Sequence, residues 1–509
     1  MKKRYGKMAM AAALTLSVVA AGCAQKPDGS QGSSGNAVEA KKGPTKITIM
    51  ANLHTPEVPS DIIEKLLEEK TNTELTFQWV PDGSYDEKMN AAFATGSLPH
   101  AVYVKNQTSL IMYRDAIRNG QFWEVGPLLK HYPNLKNLDQ NVLNNISVDG
   151  KVYGLYQERP LSRQGIIYRK DWADALGLKA PQTTEDLYNM LKAFTENDPN
   201  KSGKKDTFGL TDRSDLVYGA FKTVASYFGT PNGWGVQDGK LVPEFMHPGY
   251  METMNFFKRL HSEGLMNKDF PVTSKNDQQN LFITGKAGVY IGSMADSVSL
   301  HAKMIDVNKN VVLDVANRVK KPNGKEGVWA IPGFGSVVMF PKSAVKTEAE
   351  LKDILAFYDK LMSPEVANLT YWGVEGQHYT KEANGSIKPN PDTKLTDREV
   401  KAYQALQVGG PSTIKMLEPV HTLPVKAKAE ELILDNNKIL IHDPTAPLDS
   451  KTFTEKGSRL QEIVKDATYK YILGSIDAAG FQKEIDRWKK DGGDNIIAEF
   501  NASFQQAKK

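Results

Sequence analysis

From Thr45 onward the sequence alternates short β-branched runs with helical patterns, and after residue 165 it does so again. KITIM (46–50) is a strand pattern. Ser60 stands where it can cap a helix whose apolar face is Ile62, Ile63, Leu66 and Leu67. ELTFQWV alternates Leu75, Phe77 and Trp79, a further helix carries Met89, Ala92 and Phe93, and AVYV (101–104) is a short buried strand. The second series opens with GIIY (165–168). Thr183 and Asp186 then form a capping-box variant before Leu187, Met190, Leu191 and Phe194, spaced i, i+3, i+4, i+7. SVVMF (336–340) is a later strand, and the last hundred residues read as mostly helical. Such alternation requires α/β sheets, expected to be largely parallel. Two α/β lobes favour a cleft between them, since ligands bind beyond the carboxyl ends of strands in open α/β sheets.

The chain starts with MKKRYGK, a positive region, followed by an apolar run from Met8 to Ala21 and then Gly22-Cys23. This reads as a signal peptide over 1–22, too short and too alanine-rich for a membrane span. VVAAGC resembles a bacterial lipobox, which implies that Cys23 becomes the first residue and carries lipid. Ala20 stands where leucine is usual; the other reading is plain secretion with a chance cysteine. Cys23 is the sole cysteine, so no intramolecular disulfide is available. Residues 24–43 are rich in Gly, Ser, Lys and Gln and read as a flexible tether.

The net charge of +4 is small for 509 residues, and no basic patch interleaves with aromatics, so nucleic acid is not expected as a partner. The chain has no G-x-x-x-x-G-K-[ST], H-E-x-x-H or G-x-S-x-G motif. Its nine histidines are scattered. Carboxylate pairs such as Glu68 and Glu69 fall on helix faces expected to be solvated. No enzyme has positive support.

Residues 197–209, NDPNKSGKKDTFG, follow the helix begun at Thr183. With Asp198 as position one, Asn200 is at three, Ser202 at five, Gly203 at six, the Lys204 carbonyl at seven and Asp206 at nine. This fits the first half of an EF-hand loop, in which alternate oxygens around a tight glycine supply the ligands of Ca2+. Position twelve is Gly209, so the bidentate glutamate is absent and a later oxygen such as Thr207 must complete the shell. The alternative is an ordinary polar turn built from Asx-turns. With no paired second hand, the ion would be structural.

Trp234, Trp329 and Trp372 each stand beside glycines, in loops where a flat ring can stack on a sugar. For each the alternative is a place in the core.

The stretch 149–191 resembles the signature region of family 1 extracellular solute-binding proteins, through DGKVYGL, GIIYRKDW, LGL and P-x-T. Arg169 stands where the wider family has Asn or Asp. The RKDW variant resembles a subgroup of large oligosaccharide-binding lipoproteins that includes alginate-binding proteins. GSLP (96–99), FGTPNGW (228–234), GKLVPEF (239–245), EGL (263–265), GKAG (285–288) and GVEGQHY (373–379) extend the resemblance over nearly the whole mature chain. His100 replaces the aspartate usual after GSLP.

The resemblance implies a two-lobed, periplasmic-binding-protein-like (type II) α/β fold with crossing hinge segments near 156–164 and 331–337. It implies a first lobe from 44–162 and 333–400, and a second from 163–332, with the calcium loop, and 401–509. It implies a structural Ca2+ on Asp198, Asn200, Ser202, Lys204, Asp206 and Thr207. The expected protein is a monomeric, lipid-anchored receptor on the outer face of a bacterial cell membrane. It hands an oligosaccharide unchanged to ABC permease subunits. Trp234, Trp329 and Trp372 are the expected stacking platforms, with Arg159, Arg163 and Glu375 as polar contacts; interdomain salt bridges and a turn-capping carboxylate are the alternatives. A carbohydrate-active surface enzyme and a receptor for another solute, such as a peptide, are the competing functions.

Overall fold

The computed structural model describes residues 43–55, 57–420 and 423–507, so the signal peptide and Cys23 lie outside the described residues. The strands, in chain order, are β1 (Thr45–Leu53), β2 (Thr73–Pro81), β3 (Ala101–Val104), β4 (Gly154–Glu158), β5 (Gln164–Arg169), β6 (Phe208–Thr211), β7 (Trp234–Gln237) and β8 (Lys240–Pro243). They continue with β9 (Ala287–Ser293), β10 (Leu313–Ala316), β11 (Val328–Trp329), β12 (Phe334–Met339), β13 (Tyr379–Lys381), β14 (Ile387–Pro389) and β15 (Leu440–Ile441). One sheet has the order β2-β1-β3-β12-β4 and a second β10-β5-β9-β6.

The sheets are less parallel than the sequence suggests. β1 pairs parallel with β2 and β3, but β12 is antiparallel to both β3 and β4. β5 is antiparallel to β9 and β10, and β6–β9 is the one parallel pair in that sheet among the described residues. The cause is the crossings. β12 and β5 enter their sheets from the opposite lobe, so they run against neighbours joined within the lobe by helices.

Each sheet has its own core. Ile47, Ile49, Tyr85, Val102, Leu155, Val338 and Tyr358 belong to the first. On the second sheet Ile166, Tyr168, Val289 and Ile291 face one cluster, while Ile167, Tyr290, Leu313 and Val315 face another; the period of two buries both faces. Helix Thr184–Glu196 has the expected capping box and buries Leu187, Met190, Leu191 and Phe194. It lies close on β6 and β9 because both present glycine. A Cβ on Gly209 would stand 2.5 Å from Leu191 Cα, and one on Gly288 would stand 2.3 Å from the Phe194 ring. The C-terminal helices Lys451–Ile472, Ala478–Trp488 and Asp494–Ala507 pack Leu460, Phe481, Trp488 and Phe500 into the second core.

Two local expectations are corrected. Ser60 does not cap helix Ile62–Thr71, whose N-cap is Asp61 with no side-chain cap bond. The Ser60 backbone is instead taken by Arg398 O and the Tyr403 hydroxyl. The same contacts place residues 401–414 in the first core, not the second: Tyr403, Leu406, Val408 and Ile414 belong there. The Tyr403 ring meets Phe77 and Trp79 edge-on at 5.9 and 5.5 Å. Nothing in the spacing of this segment says which core it fills.

Candidate functional site

The chain passes between the cores at Glu158–Gln164, at Trp329–Phe334, and between Ile414 and Val425. The first two segments are bonded to each other, Arg159 N donating to Gly333 O at 2.9 Å and Ile331 N to Leu161 O at 2.8 Å. β4 ends at the first crossing, and β1, β2 and β3 run in its direction. β5 starts there, so antiparallel β9 and β10, and β6 beside β9, end there. Both sheets thus aim carboxyl ends at the groove between the lobes, the place where open α/β sheets bind ligands.

The loop after β6 is the best organised element at this groove. Asp215 Oδ1 accepts from Val217 N and Tyr218 N at 3.0 and 2.9 Å, and Arg213 donates to Tyr218 O at 2.6 Å. Tyr218 is thereby held 53% exposed, with its ring edge-on to Trp329 at 5.6 Å. Beneath the loop, buried Asp212 accepts from Ala220 N at 2.9 Å, and burial pushes its carboxyl up to about 7. An acid raised in the folded state binds its proton more tightly there than when unfolded. Asp212 therefore supports the fold fully below its ordinary value of 3.8, and that support is lost as pH rises from there through about 7. Asp212→Asn, which keeps an acceptor for Ala220, should flatten the fall in melting temperature between pH 5 and 8; an unchanged slope would rule out Asp212 as its source.

A cavity of about 150 Å3 brings together Gln107 and Asn145 of the first lobe, Tyr218, Trp329 and the second crossing, and His442 and Asp443. It shares Gln107, Asp443 and Ala446 with a cavity of about 650 Å3 that adds Arg114, Lys222, Glu244 and Trp234. Lys222 lies 3.2 Å from Glu244 and 5.6 Å from the centre of the Trp329 ring. Asp443 Oδ1 accepts from Thr445 N and Oγ1 at 2.8 and 2.6 Å, and burial raises its carboxyl. Its Oδ2 would lie 2.7 Å from a Cβ at position 233, so Gly233 keeps room beside it. Arg114 joins the lobes, donating to Ala446 O, Leu448 O and Asp449; burial brings its guanidinium down to about 10. The groove thus presents an exposed ring, amides and charges of both signs, which suit a polyhydroxylated ligand.

The expected platforms fare unequally. Trp329 lines the groove, but it is 3% exposed, and its Nε1 donates to Thr223 Oγ1 at 3.1 Å. It backs Tyr218 rather than offering an open face. Trp234 is 7% exposed and packs edge-on against Phe500 at 5.1 Å, so the core alternative holds for it. Trp372 is half-buried, with Nε1 donating to Leu417 O at 3.0 Å. Glu375 pairs with Lys381 of the β13–β14 hairpin at 2.7 Å. Trp372, Glu375, Arg159 and Arg163 line neither cavity. Arg159 and Arg163 have no carboxylate in ion-pair reach among the described residues, so the interdomain salt bridge is not formed; Arg159 lies over Gly335. Sequence reasoning missed Tyr218, Gln107, Asn145, Lys222 and Asp443. For Tyr218 the signal was present: an aromatic in the polar loop RSDLVYG straight after a strand.

The loop after helix Thr184–Glu196 gathers its oxygens. From Ser202 Oγ, Asp198 Oδ1, the Lys204 carbonyl and Asp206 Oδ1 lie 3.4, 3.3 and 2.9 Å away. Asp198 and Lys201 adopt positive φ of 47° and 55°, and Gly203 has φ 72°, which curls the chain around this point. Asn200 turns its amide nitrogen to Asp206 at 3.0 Å; a cation would need the amide reversed. Lys286 donates to Asp206 Oδ2 at 2.8 Å, and that bond, first among its causes, holds the Asp206 carboxyl well below the usual range. Thr207 does not join the set: it is buried, and its hydroxyl donates to Phe194 O at 2.8 Å. Among the described residues no group of three or more His, Cys, Asp or Glu could hold a metal. The remaining donors are hard oxygens, the kind Ca2+ takes, and they fit it better than any softer ion.

Two α/β lobes with strand ends aimed at a shared, polar groove define a binding protein that encloses its ligand. The chain belongs to the bacterial extracellular solute-binding protein family, whose model matches residues 54–368. It is 45% identical over 500 residues to the polygalacturonan/rhamnogalacturonan-binding protein YtcQ of Bacillus subtilis, covering 97% of each chain. It is 36% identical to Lipoprotein LipO of the same organism over the full length of both. The fold matches an HMO-binding, ABC-transporter-associated solute-binding protein from Bifidobacterium longum infantis with a TM-score of 0.70 at 16% identity, over 92% of this chain and 100% of that one. The fold is therefore the two-lobed, periplasmic-binding-protein-like one. Among the described residues no helix is long and apolar enough to cross a membrane.

Proposed function

We propose that this chain is the lipid-anchored receptor of an ABC importer and captures galacturonan- or rhamnogalacturonan-type oligosaccharides between its lobes without altering them. The observation that carries the reading is the groove itself: Tyr218 stands exposed beside Gln107, Asn145, Lys222 and Asp443, where both sheets end. Sugar C–H faces pack on an aromatic ring while amides and charges bond the hydroxyls and carboxylates. The 45% identity to YtcQ over nearly the whole chain supports this ligand class. Lobe closure would shift a population toward the bound form, which the permease would read. Cys23, with the full-length likeness to LipO, supports an acyl anchor.

Titration calorimetry with oligogalacturonides, rhamnogalacturonan fragments and neutral galactans tests the ligand. Binding to the acidic fragments with one site in the groove and no new products on chromatography is expected. Turnover, or preference for neutral galactan, would overturn the reading.

Asp198, Asn200, Ser202, the Lys204 carbonyl and Asp206 would hold a structural Ca2+. The ion would tie the end of helix Thr184–Glu196 to β6 and offset the carboxylate charge. Excess chelator should then lower stability by about 1–3 kcal/mol, the linkage expected of a site occupied well above its Kd. Asp198→Ala should melt at the chelated temperature with or without Ca2+. A melting temperature indifferent to chelator would refute the site.

A further inference from the structure

A cavity of about 420 Å3 lies at the far end of the second sheet from the crossings, where β5 ends at Arg169 and β10 begins. The length of β5 separates it from the groove, about 20 Å at ~3.3 Å per residue. Arg169 forms its charged wall. The residue is 4% exposed, and its guanidinium lies over the Trp172 ring at 4.4 Å. Asp171 holds Nε and Nη2 at 2.8 and 2.5 Å. Its third nitrogen, Nη1, has no hydrogen-bond partner among the described residues. A Cβ on Gly285, itself part of the cavity wall, would lie 3.5 Å from Nη1. Nη1 keeps solvent access, and a donor held this rigidly at the cavity wall is preorganised for an acceptor that enters.

Asp171 spends both oxygens on Arg169, so the pair is neutral. Lys201, which lines the same cavity and has no ion-pair partner among the described residues, leaves it one positive charge in excess. Nη1 and the Lys201 ammonium are donors only, which selects an anion. The volume far exceeds a bare inorganic ion, and Ile283 and Val311 supply an apolar wall for a ring. We infer that this cavity is a second sugar-acid site, independent of the groove, in which a hexuronate carboxylate bonds Arg169 Nη1 and Lys201. Asn200 and Lys201 belong both to this wall and to the loop 198–206, so the loop shapes the site.

The probe is D-galacturonate, titrated into the mature protein and followed by calorimetry, with D-galactose as the neutral control. Ala175→Trp fills the cavity from an exposed helix position; Tyr218→Ala disables the groove. Wild type and Tyr218→Ala should both bind galacturonate. Ala175→Trp should lose that binding at least tenfold while keeping oligosaccharide affinity in the groove. Arg169→Lys should weaken it about tenfold, and Lys201→Gln, on the surface and safe for folding, about threefold. No galacturonate binding by wild type overturns the inference. So does binding abolished by Tyr218→Ala yet untouched by Ala175→Trp and Lys201→Gln, or equal affinity for galactose. None of these outcomes bears on whether the groove takes an oligosaccharide.

Discussion

Trp234→Ala should destabilise the protein by about 3–5 kcal/mol, the usual cost of removing a buried tryptophan. The indole is 7% exposed and packs with Phe500 in the second core, at the start of the β7–β8 hairpin. Phe500 comes from the last helix, so the loss would also free the C-terminal segment. Tyr218→Ala is the matched contrast. The residue is half-exposed and its ring is backed by Trp329, so removing it should leave the melting temperature unchanged and weaken glycan binding about tenfold. Urea unfolding and calorimetry on the two variants test both statements together. A Trp234→Ala protein of wild-type stability but poor affinity would reverse the assignment and make Trp234 the platform.

The second large effect is expected at Asn436. This side chain is fully buried and ties the end of the first crossing to the second lobe: Nδ2 donates to Ser162 O and Gln164 O at 3.1 and 3.0 Å, and Oδ1 accepts from Asn317 at 3.1 Å. Asn436→Ala would leave two buried carbonyls without donors, costing about 2–6 kcal/mol, at ~1–3 kcal/mol for each unsatisfied group. Amide exchange over residues 162–166 should speed up, because these bonds pin the point where the chain enters the second lobe. Loss of less than about 0.5 kcal/mol with unchanged exchange would mean that water replaces the amide without penalty.

Local elements were legible because their physics is local. The capping box at Thr183, the helix face from Leu187 to Phe194 and the runs AVYV and GIIY are read from neighbours in sequence, and they stand in the structure as expected. The curled loop at Asp198 was legible for the same reason: alternate oxygens around one glycine need no distant partner to converge. Ser60 misled because the helix starts one residue later, with Asp61 at its N-cap, while bonds to Arg398 and Tyr403 fix the Ser60 backbone outside the helix.

The sequence by itself determined that two α/β units exist and which family they resemble. Only the tertiary structure decided which aromatic is open to a ligand. Trp234, Trp329 and Trp372 look alike beside their glycines, yet burial against Phe500, Thr223 and Leu417 sets each apart. It also decided that residues 401–414 complete the first core and that Arg169 keeps one nitrogen unmatched among the described residues. The physical reason is common to these cases. Periodicity reports how a residue relates to its own helix or strand, whereas exposure depends on which distant surface the fold lays over it.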